Sequence, residues 1–407
     1  MLKEAQRCLR CKKPMCQSAC PVSTEIPKVI DYYLEGDINS AGKLLFENNP
    51  LSVITSLVCP HENQCQGNCI LGRKGEALKI GEIEHMISLN FLRQTTFPVP
   101  AVNKEMIGII GSGPAGLTIA FLLAQKGYQV TIFEEHDRTG GVLRYGIPEF
   151  RLPKNILDLL TEKLLELGVT IRYNTLIGPV LTLDDLFRDG YEAIFIGTGV
   201  WRANKLGIKG ESLGNVHFAI DFLKNPDVYR LGTELNVIGA GNVAMDVART
   251  AIRRGIIKVN LIYRGDKDSM TANKEEIAMA KAESVNFIYL CQPIEFLKEG
   301  VLCRRTKVSE GQIILLDETE LIQSDSVIIA AGQGPRANIV ATARELEVTK
   351  KGLIKTEFSG RTSMDGVFAS GDVVTGARTV VEAVNIARRV ADEMENYIKN
   401  RRNNVNF

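Results

Sequence analysis

The sequence has no excess of charge of either sign. Its 49 Lys and Arg stand against 48 Asp and Glu, a formal net charge of +1, and no long Lys/Arg run stands out. A balance this even offers no footprint for a nucleic acid, so no nucleic-acid partner is expected. Lys399-Asn400-Arg401-Arg402 reads as a solvated tail. No segment approaches the roughly 18 consecutive apolar residues of a membrane-spanning helix, so none is expected. The opening Met1-Leu2-Lys3-Glu4-Ala5-Gln6-Arg7 lacks the apolar stretch of a secretory signal, which implies a cytoplasmic protein. Short-period repeats and low-complexity tracts are missing too.

Cysteine is scarce except at one end. Seven of the nine lie in the first 69 residues, leaving only Cys291 and Cys303 beyond. Without a secretory signal, clustered thiols read as metal ligands or redox groups rather than as a disulfide framework. Cys8, Cys11, Cys16 and Cys20 are separated by two, four and three residues, and Pro21 follows. Cys59, Cys65 and Cys69 are separated by five and three, with Pro60 after the first. Ferredoxin-like runs share the first Cys-x-x-Cys and the final Cys-Pro, and soft thiolates suit iron in a cluster. On spacing alone, structural zinc sites stay open as well. His61 and His85 neighbour these cysteines and read as satisfied polar residues. Cys291 and Cys303 are not spaced as Cys-x-x-Cys, so they read as ordinary thiols, and a thioredoxin-reductase-type disulfide relay is not expected.

The 407 residues suffice for two or three domains. In the head, to about residue 103, apolar residues recur at three and four from Ile26 to Leu45 and from Ile80 to Leu92, which predicts helices. Two prolines mark Phe97-Pro98-Val99-Pro100 as the linker. The body opens with a predicted strand, Met106–Ile110, then Gly111-Ser112-Gly113-Pro114-Ala115-Gly116, a helix to Lys126 and a strand Gln129–Phe133 ending in Glu134. In this arrangement Gly111 permits the tight turn, Gly113 admits a pyrophosphate and Gly116 allows close helix–strand packing, while Glu134 is positioned for a ribose hydroxyl.

A similar unit recurs roughly 128 positions on: Leu235–Ile238, then Gly239-Ala240-Gly241-Asn242-Val243-Ala244, a helix to Arg254 and a strand Lys258–Tyr263. Arg264 stands where an acid would read a ribose, and an arginine there could pair with a 2′-phosphate, favouring NADPH. An exposed arginine at a strand end is the alternative reading, so NADPH and NADH both stay open. Apolar runs at Ala193–Ile196, Val327–Ala331 and Val367–Ala369 each lead to glycine, as strands ending at a ligand crevice do. Asp372, after Gly371, resembles the second flavin-contact motif of disulfide-reductase-like flavoproteins.

Head and body together resemble the family of the bacterial glutamate synthase small subunit and the N-terminal half of dihydropyrimidine dehydrogenase. The resemblance spans essentially the whole chain. It is carried by Cys8 to Pro21, Cys59 to Cys69, Ile80-Gly81-Glu82-Ile83-Glu84, the first glycine loop, Gly140-Gly141-Val142-Leu143-Arg144-Tyr145-Gly146-Ile147-Pro148, Arg151-Leu152-Pro153 and Gly371-Asp372.

It implies an α/β fold: a helical iron–sulfur head followed by two Rossmann-like nucleotide-binding domains, the NAD(P) domain inserted in the FAD domain. The expected domains are 1–103 with two 4Fe-4S clusters, 104–231 with 333–407 for FAD, and 232–332 for NAD(P). It also implies that Cys8, Cys11, Cys16 and Cys69 hold one cluster. Cys20, Cys59, Cys65 and Glu84 would hold the other, with Glu84 supplying the eighth ligand that seven cysteines lack.

The remaining candidate cofactor contacts are Gly140, Gly141, Leu143, Arg144, Arg151, Gly199, Ala331, Gly332 and Thr379. The implied activity is oxidation of NAD(P)H through FAD, with electrons leaving through the clusters. The implied acceptor is an FMN-bearing large or catalytic subunit that makes glutamate or reduces pyrimidines, or a ferredoxin-like protein, as for bifurcating transhydrogenase relatives. No FMN barrel follows the FAD motif, so the chain resembles the electron-input subunit alone.

Overall fold

A computed structural model describes residues 1–98, 100–101 and 104–405. Val99 of the expected linker and the expected boundary at residue 103 lie outside the described residues. The chain divides into two compact units: Met1–Arg144 with Glu149–Val200 and Gly334–Phe407, and Tyr145–Pro148 with Trp201–Gln333. The fold is α/β, with a helical head and the second nucleotide-binding unit inserted in the first.

The head folds around the helices Ile26–Leu34, Ile38–Asn48, Ser52–Val58 and Ile80–Gln94. The helical periodicity from Ile26 to Leu45 is broken once, at Gly36, whose φ of +84° lies in the left-handed region that favours glycine. Asp37 then caps the next helix by accepting from the Ser40 amide at 2.9 Å. Ile26, Val29, Ile30, Ala41, Leu45, Ile80, Ile83 and Ile87 form its core, with Cys8, Cys16 and Cys69 packed against them. Phe46 meets Phe121 edge-on, with ring centroids 5.4 Å apart, joining the head to the first nucleotide-binding domain.

That domain holds a five-stranded parallel sheet in the order Val367–Ala369, Tyr191–Ile196, Met106–Ile110, Gln129–Phe133 and Thr170–Arg172. The strands are apolar almost throughout because helices cover both faces of a parallel sheet. The second unit repeats the plan in the order Val216–Phe218, Ser326–Ile329, Glu234–Ile238, Lys258–Ile262 and Asn286–Ile288. It adds an antiparallel sheet of Cys291–Leu297, Gly300–Ser309 and Gln312–Gln323, which no sequence signal above anticipated. No helix among the described residues is long and apolar enough to cross a membrane.

Candidate functional site

The first glycine loop runs from the strand Met106–Ile110 into the helix Pro114–Gln125. Gly111 has φ +93°, and a Cβ there would lie 2.8 Å from the Gly197 carbonyl oxygen. Any side chain would therefore push the loop off the neighbouring strand end. A Cβ on Gly116 would lie 2.0 Å from the Gly111 oxygen, which is why helix and strand can pack so closely. No side chain caps the helix Pro114–Gln125. Its first-turn amides and positive dipole end are thus left for an anion.

Ser112 ties three sequence motifs together. Its hydroxyl donates to Glu134 Oε2 at 2.5 Å and its amide donates to the same oxygen at 2.9 Å. The Gly140 amide in turn donates to the Ser112 hydroxyl at 3.0 Å. Glu134 Oε1 accepts from the His136 amide at 2.9 Å and pairs with His136 Nδ1 at 2.8 Å. Burial alone would push the Glu134 carboxyl up, and the hydrogen bonds from His136 and Ser112 outweigh it, holding the group below the usual range. A Cβ on Gly141 would lie 2.9 Å from the Gly113 Cα, so the two loops are in contact.

Gly371 reaches the same place, since its Cβ position lies 3.2 Å from the Ala115 Cβ. Asp372 accepts one hydrogen bond, from the Arg378 amide at 3.2 Å, and burial pushes its carboxyl up to about 6. Gly199 lies two residues beyond Gly197, just after the strand Tyr191–Ile196.

Other candidates have structural partners of their own. Arg144 donates to the Thr139 carbonyl at 2.7 Å and to Asp158 at 2.5 Å, so its guanidinium braces the Gly140-Gly141 turn. Leu143 is fully buried. Thr379 and Glu382 form a reciprocal cap at the start of the helix Val380–Val405, the Thr379 hydroxyl donating to Glu382 at 2.6 Å. Arg151 is half-buried in the turn before the helix Lys154–Glu166.

In the second unit Gly239 has φ +139°, and a Cβ there would lie 2.5 Å from the Ala330 carbonyl oxygen. The Ala240 carbonyl accepts from the Ala272 amide at 3.0 Å, and the Asn242 side chain accepts from the Asn273 amide at 2.8 Å. Gly241 begins the helix Asn242–Arg253 without a side-chain cap, and Val243 is exposed on its first turn. Ala331 and Gly332 follow the strand Ser326–Ile329, and the Gly332 carbonyl accepts from the Asn204 amide at 3.1 Å. Arg264 and Lys267 are exposed after the strand Lys258–Ile262. A Cβ on Gly265 would lie 2.5 Å from the Ser269 hydroxyl, so a side chain there would require Ser269 and Tyr263 to shift.

The cysteines sort into two groups. Cys8, Cys11, Cys16 and Cys69 line one apolar cavity of about 60 Å³ in the head. Burial pushes the Cys16 thiol up to about 11 and Cys8 in the same direction, with neighbouring thiols adding to the effect. In the other group, burial first and then the negative charge of Glu84 push Cys59 and Cys65 well up, and Cys20 adds to it. Glu84 lines a small apolar cavity beside Thr24, and burial pushes its carboxyl up to about 8.

Groups that resist ionisation for want of a cation fit an iron–sulfur cluster, which supplies the positive charge that thiolates need. Among the described residues, no three His, Cys, Asp or Glu converge on a single-ion site. A cluster is several atoms across and holds its ligands further apart than one ion does, as a ring of thiols around a cavity requires. His85 is engaged with the Val53 carbonyl and Ser56, in keeping with a satisfied polar role.

Residues 106–388 match the family model of pyridine nucleotide-disulphide oxidoreductases, and residues 1–96 match that of dihydropyrimidine dehydrogenase domain II, 4Fe-4S cluster. The chain belongs to the pyridine nucleotide-disulphide oxidoreductase family. Within it, the glutamate synthase [NADPH] small chain of Azospirillum brasilense is 33% identical over 98% of this chain and 89% of that one. The NAD-dependent dihydropyrimidine dehydrogenase subunit PreT of Escherichia coli is 32% identical, covering 98% of this chain and 94% of its own. FprA from Mycobacterium tuberculosis (His57Gln mutant) shares the fold, with a TM-score of 0.65 at 19% identity over 74% of this chain and 86% of that one. The protein is thus an oxidoreductase of the FAD- and NAD(P)H-dependent kind, with a 4Fe-4S domain at its head.

Two features of this family member escaped the sequence. Cys291 and Cys303 are fully buried in one core on adjacent antiparallel strands, where Cys303 pairs with Pro293, two residues from Cys291. A hydrogen bond to Cys291, then burial, pushes the Cys303 thiol up, so it keeps its proton as the donor. The alternation of strand side chains was the one available signal for this pairing. The second feature is the Ser112–Glu134–His136 network, for which the sequence offered only a trailing acid.

Proposed function

We propose that this chain is the electron-input subunit of a larger oxidoreductase, passing electrons from NAD(P)H through FAD and two 4Fe-4S clusters to a partner that bears FMN. The reading rests on one observation above all. The chain is similar over nearly its whole length to glutamate synthase small chains, and it carries two glycine loops and two groupings of cysteines in the head. The partner proposed first is therefore a glutamate synthase large subunit. A cytoplasmic location accords with that role.

When bound, FAD supplies the conversion of an electron pair into single electrons, the form in which iron–sulfur clusters take them. The chain's own residues bind and orient. The uncapped amides after Gly113 and Gly241 meet the two pyrophosphates, and Glu134 fixes the first loop through Ser112 and His136. Asp372, poorly solvated and with one hydrogen bond, accepts from a flavin hydroxyl. Cys8, Cys11, Cys16 and Cys69 hold one cluster, and Cys20, Cys59, Cys65 and Glu84 the other. Residues 1–103 form the cluster domain, and the nucleotide domains divide as the two compact units do, Trp201–Gln333 going with NAD(P) and Glu149–Val200 with Gly334–Phe407 going with FAD. No side chain acts as nucleophile or general acid.

A second reading has its own support. The match to PreT extends over 406 residues, almost this chain's own length, and covers more of that relative than of the glutamate synthase small chain. It would make the partner a pyrimidine-reducing subunit. Anaerobic affinity purification from the native host, with mass spectrometry of stoichiometric partners, separates the two. A glutaminase-bearing chain supports the first and an FMN-barrel pyrimidine enzyme the second. A chain purified without a partner would point to a ferredoxin-like acceptor and count against both. A non-catalytic scaffold would fail to bleach its flavin when given NADPH or NADH without oxygen.

A further inference from the structure

The helix Val380–Val405 begins beside the candidate flavin loop, where the Arg378 amide donates to Asp372 at 3.2 Å. Nine residues beyond Thr379, about 14 Å along the axis at 1.5 Å per residue, Arg388 leaves this helix and enters the cysteine head. Its Nη1 donates to the Val22 carbonyl at 3.4 Å, two residues after Cys20, and the guanidinium is half-buried there. Among the described residues Arg388 has no carboxylate within ion-pair distance, and Asp392, one turn on, pairs instead with Lys126 at 3.1 Å. Burial, then the charge of Asp392 and that of Cys20, act on this guanidinium. The charged neighbours acting on Cys59 and Cys65 are all potential anions, namely Glu84 and other cysteines.

We propose that Arg388 is a positioning residue for electron transfer that sets the reduction potential of the cluster held by Cys20, Cys59, Cys65 and Glu84. The inference rests on the two-cluster reading above. Three thiolates and a carboxylate make that centre anionic, and each electron it accepts adds negative charge. A fixed cation in a poorly solvated place stabilises the reduced form more than the oxidised one. Arg388 therefore raises the potential of this cluster. It belongs to the same helix whose first turn adjoins the flavin loop, so one rigid element relates the two centres.

The test is an anaerobic redox titration of the reconstituted full chain, followed by electron paramagnetic resonance, with iron counted in each sample. Arg388→Gln is expected to lower the midpoint of one cluster by a roughly tenfold change in equilibrium, about 59 mV for a one-electron step. The other midpoint and the iron content should stay unchanged. Arg388→Lys should restore most of the shift. Arg389→Gln serves as the control, because that guanidinium stacks 3.9 Å from the Phe358 ring centroid, and it should move neither midpoint. Unmoved midpoints in Arg388→Gln overturn the proposal. Loss of iron in that variant also overturns it, since Arg388 would then hold the loop rather than tune the centre. If the wild-type chain binds iron for a single cluster, the two-cluster reading has failed, and this appears before any variant is made.

Discussion

The carboxylate of Glu134 accepts both the amide and the hydroxyl of Ser112, at 2.9 and 2.5 Å, and through that hydroxyl it is linked to the Gly140 amide. The acid at the end of the second strand therefore does more than await a ribose. It fixes the glycine loop against the Gly140-Gly141 turn and carries a buried negative charge satisfied by four donors from Ser112 and His136.

Replacing Glu134 should accordingly loosen the flavin site at two points. Glu134→Gln exchanges an acceptor-only charged group for a neutral one that must also place two N–H donors, which the Ser112 and His136 backbone amides cannot receive. Hydrogen bonds to a charged group are worth about 1.5–3 kcal/mol each. Even one such loss predicts at least a tenfold weaker retention of FAD, measured as flavin fluorescence released on dilution. Retention equal to wild type would show that the network is incidental to the cofactor.

Asp372 predicts a pH dependence. Burial raises its carboxyl to about 6 in the protein without flavin. An acceptor of a flavin hydroxyl favours the charged form, so binding is linked to release of the proton. FAD affinity is therefore expected to be level above about pH 6 and to fall below it, by up to tenfold per unit until the carboxyl of the bound form is protonated as well. The same raised value means that stability of the flavin-free protein falls as pH rises from about 4 to 6, at up to about 1.4 kcal/mol per unit. Asp372→Asn should flatten both profiles. Titration of the apoprotein with FAD at pH 5, 6 and 7 checks the first, and thermal melts over the same range check the second.

The nicotinamide preference turns on a loop in which Arg264 and Lys267 are exposed and a Cβ on Gly265 would crowd Ser269 and Tyr263. If Arg264 pairs with a 2′-phosphate, Arg264→Ala raises KM for NADPH ten- to a hundredfold, the value of about 1.5–3 kcal/mol of charge-assisted bonding. KM for NADH should change little. Steady-state dye reduction with each nucleotide distinguishes this from a general loss of binding, in which both rise together.

Much of the fold was legible because its signals are local. The strand–glycine–helix–strand units announce themselves in about 30 residues, since only glycine tolerates the backbone at Gly111 and Gly239. The antiparallel sheet 291–323 was not anticipated, because its outer strand Gln312–Gln323 is exposed along most of its length and its one apolar run, Ile313-Ile314-Leu315-Leu316, gives way at once to Asp317-Glu318-Thr319-Glu320. The candidate site was legible as separate motifs. Their meeting was not, since the contacts of Ser112 with Gly140 and of Gly371 with Ala115 join residues that no spacing rule relates. Thr379, a candidate cofactor contact, also caps the helix Val380–Val405, a second role that no spacing rule signalled.

Cys291 and Cys303 sharpen one distinction within the family. Both are fully buried, and nothing in their spacing resembles a redox pair. Cys303→Ala should therefore leave NAD(P)H-driven dye reduction unchanged while costing about 1–2 kcal/mol of stability for the packing lost in the core. Loss of dye reduction in a variant whose FAD still binds and is still reduced by the nicotinamide would instead point to a relay through these thiols.

The eighth cluster ligand is the most exacting point. Glu84 sits on the helix Ile80–Gln94, facing an apolar cavity, with its carboxyl raised to about 8 by burial and nearby Cys59 and Cys65 raised further by its charge. A carboxyl kept there without a cation is costly to ionise, and a cluster iron removes that cost. Glu84→Ala should then bind roughly half the iron of wild type, about four atoms where two four-iron clusters hold about eight. FAD should still bind and still be reduced by the nicotinamide, because the glycine loops lie elsewhere in the chain. Iron analysis and the reduced-state resonance spectrum decide it. Full iron content in Glu84→Ala would remove Glu84 from the ligand set and leave Cys20, Cys59 and Cys65 to be completed by another donor.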